Sequence, residues 1–232
     1  MGGMETDGQG REGGARGAGP EEMDDAEFRA AMARMGPGEF AAAARARELR
    51  HWRERNRFCG RCGAPTAPHP DPAERAMVCP KCGFAAYPAI CPAVIALVER
   101  DGKVLLQRNS HYRSANWSLV AGFVDPGETF EEAIRREIRE EASIEVEGLR
   151  YAGSQPWPFP SAMMVAFTAR YASGELRPDG TEVLESGWFA PDAFPPLPPP
   201  GSVARRLLDG FAARALRRER RNGAVSANQR SR

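Results

Sequence analysis

Two pairs of closely spaced cysteines constrain the fold of this 232-residue chain more than any other sequence feature. Cys59 and Cys62 form the first pair, Cys79 and Cys82 form the second, and 16 residues separate the pairs. Each Cys-x-x-Cys turn places two thiolates on one side of a metal, and two such turns complete a tetrahedron. The spacing therefore predicts a small zinc ribbon, to which we assign residues 58–90.

The alternative for these four cysteines is two redox-active or disulfide-bonded pairs. Five cysteines in the whole chain are too sparse for a disulfide scaffold. Four thiolates fill the coordination shell of zinc, so the predicted site is structural and not hydrolytic. The fifth cysteine, Cys91, is predicted to be a small buried side chain.

The composition excludes a membrane protein and any general attraction to polyanions. Lys and Arg number 32 against 31 Asp and Glu, and the mean hydropathy is −0.50. The longest apolar run, Ala93–Val98, has six residues, whereas a membrane span needs roughly 20. Residues 1–20 contain eight glycines and lack the apolar core of a secretory signal. We therefore expect a cytoplasmic protein with no membrane segment.

Composition also divides the chain into segments. Residues 1–38 are predicted to be a disordered Gly-rich tail, and residues 39–57, rich in Ala, Arg and Glu, a helical lead-in to the ribbon. The main domain is assigned to residues 91–218 and a flexible basic tail to residues 219–232. The elements expected in the main domain are a hairpin (Ala93–Glu99 and Lys103–Arg108), a helix (Phe130–Ala142), two strands (Met163–Tyr171 and Glu182–Phe189) and a last helix (Val203–Arg218). This order predicts an α+β or sandwich-like α/β/α domain.

An acidic helix carries the strongest catalytic pattern. Thr129 and Glu132 form a capping box, so the helix is predicted to begin there. Glu137 and Glu141 lie one turn apart on one side, with Glu140 beside them, and such like charges repel each other. A solvated charged helix does not explain this pair, whereas a hard divalent cation such as Mg²⁺ or Mn²⁺ does. The helix therefore predicts a catalytic metal site that activates water.

The residues around this helix resemble the Nudix box, G-x5-E-x7-R-E-U-x-E-E-x-G-U, in which U is aliphatic. The match runs from Gly122 to Ile144 and departs from the pattern only at Ser143, where the box has Gly. The resemblance implies a Nudix α/β/α sandwich with a mixed sheet, preceded by the zinc ribbon. The residues that it implies as metal ligands are Glu137, Glu141, Glu182 and the backbone carbonyl near Ala121. The other catalytic residues that it implies are Glu140, a nearby helper or base, and Glu128, which orients Arg136.

A second motif, Ser154–Pro160, alternates proline with aromatic residues. Proline fixes φ and removes backbone donors, so the residues predict a stiff extended loop and not a central strand. Such a loop could present Trp157 and Phe159 to a flat base, or it could simply pack on the core. The order of zinc module, Nudix box and S-Q-P-W-P-F-P segment resembles the NADH pyrophosphatase subfamily.

This second resemblance implies a set of substrate contacts. They are Glu74, Tyr87, Phe123, Gln155, Pro156, Trp157, Pro158, Phe159, Pro160, Ser161, Ala162 and Ala204. The counterpart of Tyr87 serves a site shared across a homodimer, so a homodimer is expected. Ala162 stands where the motif has its last Ser, and a Gly-rich tail stands where family members carry a folded N-terminal domain.

The function implied is metal-dependent hydrolysis of NAD(H) to NMN(H) and AMP, together with removal of NAD caps from RNA 5′ ends. One alternative is a Nudix hydrolase of another nucleoside diphosphate derivative, such as ADP-ribose or a dinucleoside polyphosphate. Another is a zinc-ribbon nucleic-acid binder without catalysis. The intact acidic set argues against the last, because an inert protein could lose its repelling carboxylates freely.

Overall fold

The computed structural model describes residues 22–110 and 116–230, with side chains described up to residue 218. The helices are α1 (Asp25–Met32), α2 (Pro37–Arg55), α3 (Phe130–Ala142), a short 3-10 helix (Pro191–Ala193) and α4 (Val203–Arg230). The strands are β1 (Ala67–Pro68), β2 (Met77–Val78), β3 (Ala85–Ala86), β4 (Cys91–Arg100), β5 (Lys103–Asn109), β6 (Val120–Phe123), β7 (Ile144–Trp157), β8 (Ala162–Gly174) and β9 (Val183–Phe189). The predicted hairpin, acidic helix and later strands are therefore all present, with small shifts at their ends.

The main domain is built on a mixed sheet. Its strand order is β7-β8-β4-β5-β9, and β6 pairs with β4 as well. β4 and β8 are parallel, whereas the other pairs are antiparallel. A two-residue turn with positive φ at Asp101 (49°) and Gly102 (76°) joins β4 to β5, as the Asp-Gly sequence predicts.

Helices cover both faces of this sheet, which confirms the predicted α/β/α sandwich. Alternate residues of β4 point to opposite faces. Val94 and Val98 pack in a core with Ile134 and Ile138 of α3. Ile95 and Leu97 pack in a second core, and the α4 residues of that core are Val203, Ala204, Leu208 and Phe211. Burial of both faces explains why Ala93–Val98 is a continuous apolar run.

Helix α3 begins and ends as its sequence indicates. Thr129 and Glu132 form the predicted capping box, with the Glu132 N–H donating to Thr129 Oγ1 at 3.2 Å. Ser143 ends the helix in the left-handed region at φ 57°. A non-glycine residue in that region costs roughly 1–2 kcal/mol, so Ser143 stores strain where the Nudix box has Gly.

The expectation of a disordered tail over residues 1–38 is wrong for its last part. Asp24 caps α1 through a capping box with Glu27, and Phe28 and Met32 of α1 are fully or almost fully buried. These two side chains form a third apolar core with Phe40 of α2. Local capping and a few buried side chains therefore order a segment of low average hydrophobicity. Residues 1–21 of the predicted tail lie outside the described part of the chain.

Three further expectations require correction. Helix α4 continues to Arg230 where a flexible tail was expected from residue 219. Residues Ser154–Trp157 are the end of β7 and not a loop, because β7 is an edge strand that tolerates Pro156. Cys91, expected to be buried, is exposed at the start of β4.

The zinc-ribbon region contains its own antiparallel sheet in the order β1-β2-β3. Its two cysteine turns have the same backbone geometry. Gly63 and Gly83 have φ of 72° and 73°, and their N–H groups each donate to the first cysteine carbonyl of their pair at 2.9 Å. Glycine after the second cysteine therefore lets each turn fold back. Among the described residues, the helices include none long and apolar enough to cross a membrane.

Candidate active site

Arg136, in the middle of α3, forms hydrogen bonds with acidic residues before and along the helix. Its guanidinium donates to both carboxylate oxygens of Glu128, at 2.6 and 2.7 Å. It also donates to Glu137 at 2.8 Å, to Glu140 at 3.1 Å and to the Phe123 carbonyl at 3.0 Å. The paired charge and the Asp125 N–H lower the pKa of Glu128 to about 2, so this carboxylate stays ionised.

Glu137 lies against the backbone of β6. A Cβ built on Gly122 would stand 2.0 Å from both Cδ and Oε1 of Glu137, so only glycine leaves room for this carboxylate. Burial raises the pKa of Glu137, while Arg136 acts in the opposite direction. The backbone that makes this space also carries Ala121, which pairs with Ile95 in the sheet.

Glu141 is the most buried carboxylate of the group, at 4% exposure. Its Oε2 is buried and accepts no hydrogen bond from the described residues. Burial raises the pKa of Glu141 to about 8, and neighbouring carboxylates add to the rise. Those neighbours, in order of effect, are Glu137, Glu182, Asp179 and Glu140. A buried oxygen with no donor, surrounded by negative charge, fits a divalent cation.

The structure places Glu137, Glu140 and Glu141 on α3 and Glu182 in the loop before β9. Their charges act on Glu141, but among the described residues no three of these carboxylates have oxygens within 4.8 Å of one another, as the four cysteine sulfurs do. Two polar residues near this group were missed by the sequence analysis. Asp179 precedes Glu182 in the same loop, and its charge adds to the rise in the pKa of Glu141. Gln107 of β5 is buried, and its Nε2 donates to the Glu141 carbonyl at 3.2 Å. Neither residue belongs to the recognised motif, although a polar residue within the apolar β5 segment was a usable signal for Gln107.

The four cysteines of the ribbon form a second site. All four Sγ atoms lie within 4.8 Å of one another, with 3.7 Å between Cys59 and Cys82 and 3.5 Å between Cys62 and Cys79. None of the four forms a disulfide. A tetrahedron with zinc–sulfur bonds of ~2.3 Å has sulfur–sulfur edges of ~3.8 Å. The donor set therefore fits a structural zinc ion.

The proline-aromatic segment is tied to helices on two sides. Both polar atoms of the buried Gln155 side chain are engaged at the start of α4, by the Gly201 carbonyl at 2.8 Å and the Val203 N–H at 2.6 Å. Phe159 packs edge-on against Phe28 at 5.8 Å, and the Arg29 guanidinium lies 3.8 Å from its ring centroid. The aromatic rings expected to face a base are therefore half-buried against α1.

Other predicted substrate contacts differ in their exposure. Ala162 and Ala204 are buried, and the Ser161 hydroxyl donates to the Ala89 carbonyl at 3.0 Å. Tyr87 and Phe123, by contrast, expose 59% and 57% of their surface. Two other predicted substrate contacts, Glu74 and Pro160, are also exposed. Of the remaining ones, Pro156 and Trp157 are partly buried and Pro158 is buried. Of the predicted contacts, the exposed aromatic rings are thus Phe123, at the end of β6, and Tyr87, in the zinc-ribbon region.

Comparison with known proteins identifies both the sandwich domain and the zinc ribbon. The model of the NUDIX domain matches residues 90–209, and the model of the NADH pyrophosphatase zinc ribbon domain matches residues 54–87. The fold and the acidic cluster define a hydrolase with a structural zinc ribbon. The chain belongs to the Nudix hydrolase family.

Relatives within that family share both regions. The chain is 46% identical over 181 residues to the NAD-capped RNA hydrolase NudC of Chromobacterium violaceum, a match that covers 78% of this chain and 68% of that protein. It is 45% identical over 176 residues to the NAD-capped RNA hydrolase NudC of Salmonella typhi, covering 76% and 68%. A solved NUDIX hydrolase from Nitrosomonas europaea superposes with a TM-score of 0.53 at 29% identity, covering 60% of this chain and 80% of that one.

Proposed function

We propose that this chain hydrolyses the diphosphate bond of NAD(H) to give NMN(H) and AMP, and that it also removes NAD caps from RNA 5′ ends. The observation that carries the proposal is the buried acidic cluster in a chain that shares 45–46% identity with NAD-capped RNA hydrolases. The zinc ribbon at residues 54–87, of the NADH pyrophosphatase type, supports the same substrate class.

The catalytic cation of this proposal is Mg²⁺ or Mn²⁺. The residues that would hold it are Glu137, Glu141, Glu182 and the carbonyl of Ala121. A bound divalent cation supplies positive charge to the diphosphate as negative charge develops on it. Arg136 holds Glu128, Glu137 and Glu140 in place, and Glu140 or Glu141 accepts a proton from the attacking water. The water oxygen bonds to phosphorus while the bridging P–O bond breaks, which releases the two mononucleotides.

Recognition of the dinucleotide is proposed to use exposed aromatic rings. Phe123 follows Gly122 directly, its ring is exposed, and its backbone carbonyl accepts a hydrogen bond from Arg136 at 3.0 Å. Stacking of a base on such a ring is worth about 1–3 kcal/mol. The half-buried Trp157 and Phe159 would then support the substrate loop and not stack on the base themselves.

A homodimer is proposed as the active form. Tyr87, Ile90 and Phe123 are large apolar side chains left more than half exposed at the start of β4 and the end of β6. If the partner's Tyr87 completes the site, a mixture of Tyr87→Ala and Glu141→Gln chains should regain part of the activity that each lacks alone. Activity that stays absent in the mixture, or a monomer by sedimentation, would contradict this part of the proposal. A cytoplasmic location is also proposed, because free thiols persist as metal ligands under reducing conditions.

The substrate class is tested by comparing turnover of NADH, NAD⁺, an NAD-capped transcript, ADP-ribose and a diadenosine polyphosphate with Mg²⁺ or Mn²⁺ present. We expect kcat/KM to be highest for NAD(H) or the capped transcript. Preference for ADP-ribose or the polyphosphate would instead identify a Nudix hydrolase of other specificity. Binding of RNA with no hydrolysis of any of these compounds would favour the non-catalytic alternative.

The catalytic assignment is tested with a matched pair of variants on one helix. Glu141→Gln should lower kcat by at least about 100-fold, the contribution typical of positioned acid–base groups. Glu131→Gln, an exposed change at the start of α3, should leave kcat unchanged. Turnover by Glu141→Gln at the wild-type rate would refute the assignment.

A further inference from the structure

The loop between β8 and β9 decides where Glu182 is held. Glu182 is exposed and precedes the first residue of β9, Val183, which is fully buried. Glu182 forms hydrogen bonds through its backbone N–H and carbonyl, and its carboxylate accepts none from the described residues. The position of Glu182 must therefore be set by the backbone of the loop and not by contacts of its own side chain.

Asp179 supplies the hydrogen bonds that fold this loop. Its Oδ1 accepts from the backbone N–H of Thr181 at 3.1 Å and of Val183 at 2.8 Å. Its Oδ2 accepts from the Thr181 hydroxyl at 2.9 Å and from the Glu182 N–H at 3.3 Å. One carboxylate thus gathers donors from three consecutive residues, with Glu182 in the middle.

The folded loop is also anchored at both ends. The Arg177 N–H donates to the Ala142 carbonyl at 3.1 Å, immediately after Glu141 in α3. The Ser110 N–H donates to the Glu182 carbonyl at 2.8 Å, at the end of β5. These two bonds tie the loop to the helix that carries the metal ligands and to the neighbouring strand. Within that frame, Asp179 is the group that sets the path of the backbone through Glu182.

We propose that Asp179 is a positioning residue whose carboxylate folds residues 179–183 so that Glu182 is presented to the cation site on α3. The inference rests on the metal site of the proposed function. Both Asp179 oxygens already accept two hydrogen bonds each, so its role is to hold the backbone and not to bind the cation directly. A residue that orients a ligand in this way typically contributes about 10–100-fold to metal affinity.

Manganese binding to the zinc-loaded protein tests the inference without measuring activity. Asp179→Ala should weaken Mn²⁺ affinity by about 10–100-fold. Asp179→Asn should weaken it less, because the amide oxygen can still accept from Thr181 and Val183. In the Asp179→Ala/Glu182→Gln double variant, Mn²⁺ affinity should match that of Glu182→Gln alone. If Asp179 acts only by positioning Glu182, its loss has no further effect once the Glu182 carboxylate is removed. Amide exchange at residues 181–183 should rise in Asp179→Ala.

Asp71→Ala is the matched control, because Asp71 caps a comparable turn in the zinc ribbon by accepting from the Ala73 N–H at 2.9 Å. That variant should bind Mn²⁺ as the wild type does. The inference is overturned if Asp179→Ala binds Mn²⁺ normally, if Asp179→Asn is as damaging as Asp179→Ala, or if the two losses simply add. A wild type that binds no Mn²⁺ at the Glu137–Glu141 cluster overturns the proposed function as well. If Asp179→Ala does not fold, the Mn²⁺ affinity of Asp179→Asn relative to the wild type still tests the inference.

Discussion

Glu137 and Glu141 lie one turn apart on α3, yet their carboxylates differ in their hydrogen-bond partners. Glu137 is paired with Arg136, whereas the inner oxygen of Glu141 is buried without a donor among the described residues. Repulsion within the cluster costs free energy in the absence of a cation. That cost is the source of the site's attraction for a cation, and it should be measurable as a dependence of stability on pH.

We expect the zinc-loaded protein without Mg²⁺ or Mn²⁺ to lose stability as the pH rises through about 8. The pKa of Glu141 in the folded state, about 8, lies above its ordinary value of 4.5. The folded state therefore favours the protonated carboxyl, and this contribution is present below pH 4.5 and lost as the pH rises through about 8. Urea denaturation on both sides of pH 8 measures the loss.

Glu141→Gln should reduce this dependence, since an amide does not titrate, and leave the contribution of Glu137, whose pKa burial also raises. Glu131→Gln should keep the full dependence. Addition of Mn²⁺ should stabilise the wild type more at high pH than at low pH, because binding needs the ionised carboxylate. A wild type whose stability is the same on both sides of pH 8 would show that burial does not perturb Glu141.

Gly122→Ala should weaken Mn²⁺ binding by at least about tenfold with little loss of stability. The added methyl would overlap the Glu137 carboxylate, which is the end of a flexible side chain and can move aside. Isothermal titration with Mn²⁺ measures the effect. Gly38→Ala is the control, because a Cβ there meets nothing within 4 Å. Unchanged Mn²⁺ affinity in Gly122→Ala would mean that Glu137 is not a ligand.

At the scale of elements, α1 and α2 form one packed unit with the proline-aromatic segment. Phe28 of α1 is fully buried between Phe40 of α2 and Phe159 of the segment. Arg47, 2% exposed, pairs with Asp25 and with the Met23 carbonyl in the same unit. The helices before the zinc ribbon thus help to hold the segment that follows β7.

Phe28→Ala should destabilise this unit by about 3–5 kcal/mol, the usual cost of removing a buried phenylalanine side chain. Hydrogen exchange should rise across residues 25–32 and around Phe159, because each loses a packing partner. Phe58→Ala, which removes a ring that is 61% exposed, should have little effect. Equal protection of residues 25–32 in Phe28→Ala and the wild type would show that α1 does not depend on this contact.

At the scale of the whole molecule, the four-cysteine site and the acidic cluster on α3 have different chemistry. The four thiolates complete a zinc shell and leave no position for water. On α3, by contrast, the Oε2 atom of Glu141 is buried and has no hydrogen-bond partner in the described part of the chain. The ribbon has only short strands and a small buried set of residues. We therefore expect its folding to depend on zinc, while the sandwich relies on its two apolar cores.

Cys62→Ser should release zinc and raise hydrogen exchange across residues 59–87, while the strands of the main sheet keep their protection. Cys91→Ser should retain one zinc per chain, because Cys91 is outside the four-thiol cluster. Zinc content by atomic absorption and exchange by mass spectrometry check both variants. Retention of zinc by Cys62→Ser would exclude the four-cysteine site.

Local spacing determined much of this protein from the sequence alone. For the cysteine pairs, the capping box of α3 and the Asp-Gly turn, the spacing of a few neighbouring residues is enough to predict the local geometry. The Nudix box and zinc-ribbon resemblance correctly predicted the family and the sandwich with a mixed sheet. The expected ends of the two tails, at residues 38 and 219, needed correction, and the roles of individual site residues stay predictions.

Only the tertiary structure decided which distant residues meet. It placed Gly122 against Glu137, Asp179 in hydrogen bonds with residues 181–183 and α1 against Phe159. It also showed a helix in part of the expected tail. Average hydrophobicity could not foresee that helix, because two buried side chains are enough once a partner surface exists. Contacts of this kind depend on sheet register and helix packing across the whole chain, whereas spacing within one turn depends only on the local backbone.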